Sequence, residues 1–118
     1  MRHHNSVRKF GRPAKGRSAL LKSLMLALIT HEKIETTAAR AREMRPMIEK
    51  LITKSNEGTL AARRLITARL MNQKDVTKKL MEEIAPRFKG RKGGYTRLTK
   101  LPQRLGDASK MAVIEFVS

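Results

Sequence analysis

The sequence predicts a two-layer α+β domain with the order helix, strand, three helices, two strands: a three-stranded mixed sheet, helices on one of its faces, and a basic N-terminal extension. Three observations predict it. Helical periodicity recurs in four stretches between Ser18 and Pro86. Residues 33–37, 95–101 and 111–117 alternate or carry β-branched side chains as strands do. Residues 1–17 hold only Val7, Phe10 and Ala14 as apolar residues after Met1, with Gly11, Pro13 and Gly16 breaking any period, so they cannot order themselves by burial. A chain of 118 residues has room for one domain, taken as 18–118, with 1–17 as an arm.

In order, Ser18 is a plausible N-cap for a helix over Ala19 to about Thr30. Leu20, Leu21, Leu24, Met25, Leu26, Leu28 and Ile29 give it an apolar stripe too wide for a surface helix, so it should lie mostly buried. Lys33 to Thr37 reads as a short strand. Thr37 then caps a helix from Ala38 to about Lys54, with Ala41, Met44, Ile48, Leu51 and Ile52 inward and Arg40, Arg42 and Lys50 off that face. Pro46 either bends this helix or shifts its regular part to begin near Arg45. Ser55 to Gly58 end it, and Thr59 caps a third helix to about Met71. Asn72 and Asp75 resemble a capping box for a fourth, with Val76, Leu80 and Ile84 inward and Pro86 as its stop. Two strands follow, Tyr95 to Leu101 and Met111 to Val117, the second presenting Ala112, Ile114 and Phe116 to the core.

Charge is the loudest compositional feature. There are 27 Lys and Arg against 10 Asp and Glu, a formal +17 and a pI near 11.4. It is also unevenly placed. Arg2, Arg8, Lys9, Arg12, Lys15 and Arg17 stand in the arm without an acid, as do Arg87, Lys89, Arg91, Lys92, Arg97, Lys100 and Arg104 between residues 86 and 104. Acid-free blocks of this kind point to nucleic acid. Gly90, Gly93 and Gly94 let the second block approach a phosphate surface closely, where backbone N–H groups donate as well. Tyr95 either stacks on an unpaired base or anchors the start of a strand.

Other chemistries find little support. There is no cysteine, hence no disulfide framework or thiolate metal site, and the longest apolar run, Leu24 to Ile29, is far short of a membrane span. Gly11 to Ser18 resembles a phosphate-binding P-loop, but no buried strand precedes it, Arg17 replaces the lysine and Pro13 removes an amide donor. A helix start beside Arg12, Lys15 and Arg17 still suits an RNA phosphate. His3 and His4 lie in the arm and His31 suits a helix end, so no metal site is expected. Glu82 and Glu83 are adjacent on a helix and cannot face each other as acid and base.

A resemblance then becomes visible in Met1-Arg2-His3, His31-Glu32-Lys33-Ile34-Glu35-Thr36-Thr37, Ala39 to Pro46, Ala62-Arg63-Arg64-Leu65, Ile84 to Phe88, Gly93-Gly94-Tyr95-Thr96-Arg97, and Gly106-Asp107-Ala108 followed by Met111 to Glu115. In order and spacing these resemble the bacterial large-subunit ribosomal protein L-seventeen family, essentially end to end. Residues 11–16 depart from the family's usual segment before the first helix, so arm contacts do not carry over there. The resemblance implies a non-catalytic structural protein of the ribosome, bound to large-subunit ribosomal RNA beside neighbouring large-subunit proteins near the peptide exit region.

The candidate RNA contacts are Arg2, His3, Arg8, Lys9, Arg12, Lys15 and Arg17 in the arm; Arg63 and Arg64 on the third helix; and Arg87, Lys89, Arg91, Lys92, Gly93, Gly94, Tyr95, Arg97, Lys100 and Arg104 in the C-terminal block. No cofactor, metal, membrane, small-molecule substrate or homo-oligomer is expected. Two other readings remain: a free nucleic-acid-associated basic protein, separable by equal affinity for DNA duplexes, and a small RNA-modifying or nucleotide-hydrolysing enzyme resting on the defective loop match.

Overall fold

The computed structural model describes residues 14–117. Its elements keep the predicted order: α1 (Ala14–His31), β1 (Lys33–Thr37), α2 (Ala38–Ser55), α3 (Leu60–Arg69), α4 (Lys74–Lys79), β2 (Thr96–Leu101) and β3 (Met111–Phe116). A π-helical turn over Leu80–Ile84 and a 3-10 turn over Ala85–Phe88 prolong α4.

Apolar spacing explains the packing. Leu21, Met25, Leu28 and Ile29 of α1 meet Ala41, Met44, Ile48, Leu51 and Ile52 of α2, all buried. Leu24 and Leu26 of α1 stay half-buried, as its wide stripe requires. α2 lies across all three strands, and α1 packs on α2, α4 and β1. From the sheet, Ala112, Ile114 and Phe116 turn toward these helices and are buried, while Glu115 sits on the opposite face.

The sheet order is β1-β3-β2, with β3 antiparallel to both neighbours. It is therefore antiparallel throughout rather than mixed. β1 and β2 point the same way but never pair, because β3 lies between them.

Local differences from expectation have local reasons. α1 begins at Ala14 rather than Ala19, so Ser18 lies inside the helix and the last residues assigned to the arm form its first turn. One glycine costs a helix only about 1 kcal/mol, and Ala14, Lys15 and Arg17 are good formers, so Gly16 is not enough to stop it. α2 runs unbroken through Pro46, whose missing N–H would have reached only the carbonyl of Arg42 on the exposed side. Thr37 and Thr59 cap α2 and α3 as predicted, accepting from Arg40 N at 3.4 Å and Ala62 N at 3.0 Å. The Asn72 capping box does not form. Met71 and Asn72 take positive φ at the end of α3, and Gln73 becomes the cap of α4 without a side-chain bond. Nor does Pro86 stop the helical path: it falls in the first turn of the 3-10 segment, where no N–H is needed.

Ile114 is fully buried in the central strand, so Ile114→Ala should cost about 2–4 kcal/mol in urea unfolding. Leu105→Ala, at a side chain 97% exposed, should stay within about 0.5 kcal/mol of the parent.

Candidate nucleic-acid interface

The glycine-rich basic segment is a loop closed by two aromatics. Phe88 and Tyr95 are each 1% exposed, with ring centroids 5.2 Å apart and planes tilted by 57°, and Phe116 of β3 lies 6.3 Å from Phe88. The Tyr95 hydroxyl donates to the carbonyl of Arg91 at 3.0 Å and sits 3.0 Å from Thr53 Oγ1 of α2. Of the two roles open to Tyr95, the structure shows the anchor: a ring this deeply buried offers no face for stacking on a base. Gly90 and Gly94 have φ of 84° and 64°, which lets the chain reverse between the rings.

The strand leaving the loop is seated by a charged network. Glu49 Oε2 accepts from Thr96 N at 3.3 Å and Thr96 Oγ1 at 2.9 Å. Arg45 reaches the same residue, donating from Nε to Thr96 Oγ1 at 3.2 Å and from Nη2 to Thr96 O at 3.1 Å, with Nε 3.6 Å from Glu49. Sequence reading passed over Arg45 and Glu49. Their i,i+4 spacing on α2 was the available sign of a pair, but nothing nearby marks Thr96 as its target.

Around this frame the predicted cations divide. Lys89, Arg91 and Lys92 are exposed on the loop, and Arg91 Nε donates to Gly93 O at 3.1 Å. A cleft beside the loop runs from Lys92, Gly93 and Tyr95 to Lys50 and Lys54 of α2, two cations that the prediction did not include; Glu49 and Glu57 line it as well, and Glu57 lies 3.2 Å from Lys54. Arg97 lies just beyond on the outer face of the sheet, 4.0 Å from Glu115 across the register. Arg87 instead pairs with Glu32, which also lies 3.5 Å from Lys79. Arg104 grips Asp107 through two N–H bonds of 3.1 and 2.7 Å. Lys100 is exposed at the far end of β2, away from the loop.

Arg63 and Arg64 line a separate groove between α3 and α4, Arg63 lying 3.4 Å from Glu82. Arg17 and the backbone of Lys15 fall in the first turn of α1. Arg2, His3, Arg8, Lys9 and Arg12 lie outside the described residues.

Internal pairs shift acidity. The Arg87 hydrogen bond, aided by the charges of Arg87 and Lys79, holds the Glu32 carboxyl below its ordinary value, while Glu32 raises Arg87. Arg104 and the Ser109 backbone likewise hold Asp107 well below the carboxylate range. Among the described residues no group of three His, Cys, Asp or Glu side chains is arranged to hold a metal, and no helix is long and apolar enough to cross a membrane.

The described residues form an α+β domain with an acid-free cationic loop pinned to its core. The family model described as Ribosomal protein L17 matches residues 20–117. Large ribosomal subunit protein bL17 of Campylobacter concisus is 51% identical over 118 residues, covering 100% of this chain and 99% of that protein. The bL17 of Persephonella marina is 51% identical over 118 residues (99% of this chain, 95% of that one), and that of Wolinella succinogenes 49% over 117 (99% and 100%). The chain belongs to the ribosomal protein L17 family.

Because Glu32 is more acidic folded than unfolded, its contribution to stability is complete above the unfolded value near 4.5 and disappears as pH falls through the lower folded one. Glu32→Gln should therefore melt lower at neutral pH but lose less stability on acidification below about pH 4.5, read as melting temperature against pH. Tyr95→Phe should lose about 1 kcal/mol and speed amide hydrogen exchange in residues 90–95, with Lys89, Arg91 and Lys92 left in place.

Proposed function

We propose that this chain is a structural, non-catalytic component of the large ribosomal subunit that binds and positions large-subunit ribosomal RNA. One observation carries the RNA contact: Lys89, Arg91 and Lys92 stand exposed on a loop without an acid, and that loop is held to the core by Phe88 and Tyr95. A held loop presents its charges in one arrangement, so less ordering cost is met on binding. Lys50 extends the same surface, whereas Lys54 beyond it is paired with Glu57. The membership in the large subunit is supported by relatives named for it at about half identity over nearly their whole lengths.

The arm cations Arg2, Arg8, Lys9, Arg12, Lys15 and Arg17, with His3, add a second run of phosphate contacts in this reading, and Arg64 adds another on α3. A place beside neighbouring large-subunit proteins near the peptide exit region belongs to the same proposal, supported by the end-to-end resemblance in motif order. Binding replaces counterions on packed RNA strands, and specificity comes from RNA shape rather than groove reading.

If about six to eight phosphates are neutralised, log affinity for large-subunit RNA should fall against log salt with a slope of about −5 to −7. Lys89→Ala, Arg91→Ala and Lys92→Ala together should flatten that slope by about 2 to 3 without lowering the melting temperature. A slope near zero for the parent chain, or an unchanged one for the triple variant, rejects the loop as the contact.

A further inference from the structure

A second cationic concavity lies at the other end of α2. Arg40 and Arg42 come from the first turns of that helix, Lys110 precedes β3, and Lys100 stands near the end of β2. Two adjoining hollows run between them. One is lined by Arg40, Arg42, Arg104, Ser109 and Lys110, the next by Arg42, Lys100 and Lys110, and no acid lines either. Among the described residues, none of Arg40, Arg42, Lys100 and Lys110 is in an ion pair.

The walls of this groove are fixed to one another. Ala38 N donates to Lys110 O at 2.8 Å, and Thr37 stands opposite Met111 in the sheet register. Arg104 is oriented too: its backbone N donates to Ser109 O at 2.9 Å and its guanidinium is gripped by Asp107. That grip offsets the charge of Arg104, so attraction for an anion falls to the other four cations. Like charges gathered on a rigid surface repel one another unless an anion supplies the counter-charge. A single small ion would meet one or two of them. Four cations strung along two connected hollows match a run of phosphates.

Resting on the RNA-binding reading above, we infer that this groove holds a second stretch of RNA backbone, separate from the one at the glycine-rich loop, so that one chain ties two RNA segments together. The spacing supports this. The groove sits at the N-terminal end of α2, whereas the cleft beside the loop reaches Thr53, Lys54 and Glu57 at its C-terminal end. Lys50, the nearest cation of that cleft, is eight residues beyond Arg42, about 12 Å along the helix at about 1.5 Å per residue, so no single phosphate touches both.

The test compares the full chain with a groove triple (Arg40→Ala, Arg42→Ala, Lys110→Ala) and the loop triple, each titrated with large-subunit RNA over a salt series. Since the chain has no cysteine, Lys110→Cys and, separately, Lys92→Cys in the otherwise unaltered chain can each carry a tethered iron chelate that cuts nearby RNA. The groove triple should bind at least about tenfold more weakly near 0.1 M salt, with a slope flatter by about 2 to 3. The two tethered probes should cut two different RNA segments. A groove triple that binds like the parent while the loop triple is weakened overturns the second site and leaves the loop reading standing. Cutting of one shared segment from both positions overturns it as well. If neither triple is weakened, the RNA-binding reading itself falls.

Discussion

The contact between Phe88 and Tyr95 is where the core of this small domain meets its cationic surface. Both rings are buried, so the loop between them begins and ends inside the protein although its middle lies in water. Without that closure the glycines would leave the loop a broad ensemble, and binding would have to order it. The Arg45, Glu49 and Thr96 network continues the same task one residue later, fixing the first residue of β2 on α2. Since β2 pairs with β3 and β3 with β1, the seating of Tyr95 and Thr96 aligns the sheet under the helices as well.

A chain carrying +17 also has to fold against its own repulsion. Several of its acids are placed beside a cation that they hold. Glu32 joins the end of α1 to Arg87 and Lys79, Glu82 meets Arg63, Glu115 lies across from Arg97, and Asp107 fixes Arg104. These exposed pairs are individually weak, each worth at most about 1 kcal/mol, yet they sort the cations into two kinds. Those beside an acid shape the fold. Lys89, Arg91 and Lys92, and the cations gathered at the start of α2, have no acid beside them in an ion pair among the described residues.

Much of the fold was legible because it rests on periodicity. The apolar spacing of α2, the threonine caps and the Ala112, Ile114, Phe116 face each have one strong local cause, and each is found where expected. Signals that failed were local ones overruled by neighbours: Gly16 did not break the helical period, Asn72 turned the chain instead of capping it, and Pro86 entered a 3-10 turn. The parallel component predicted for the sheet failed for a different reason, since strand order is a tertiary choice that alternation does not encode. The site was legible as charge but not as arrangement. Counting cations could not separate Lys92 from Arg87 or Arg104, because their partners Glu32 and Asp107 differ in sequence distance from 55 residues to 3. Arg40 and Arg42 were seen to lie off the apolar face of α2, yet their meeting with Lys110 depends on β1 pairing with β3.

The position of β3 has a consequence for the order of events during synthesis. Among the described strands it is the last in sequence and the middle one of the sheet, so β1 waits more than seventy residues for its partner. Until β3 emerges, α1 and α2 can collapse on each other but have no sheet to cover. Long-range pairing of this kind is slow relative to helix formation. Until β3 pairs, the cations already made stand on helices without the sheet that gives them a fixed arrangement.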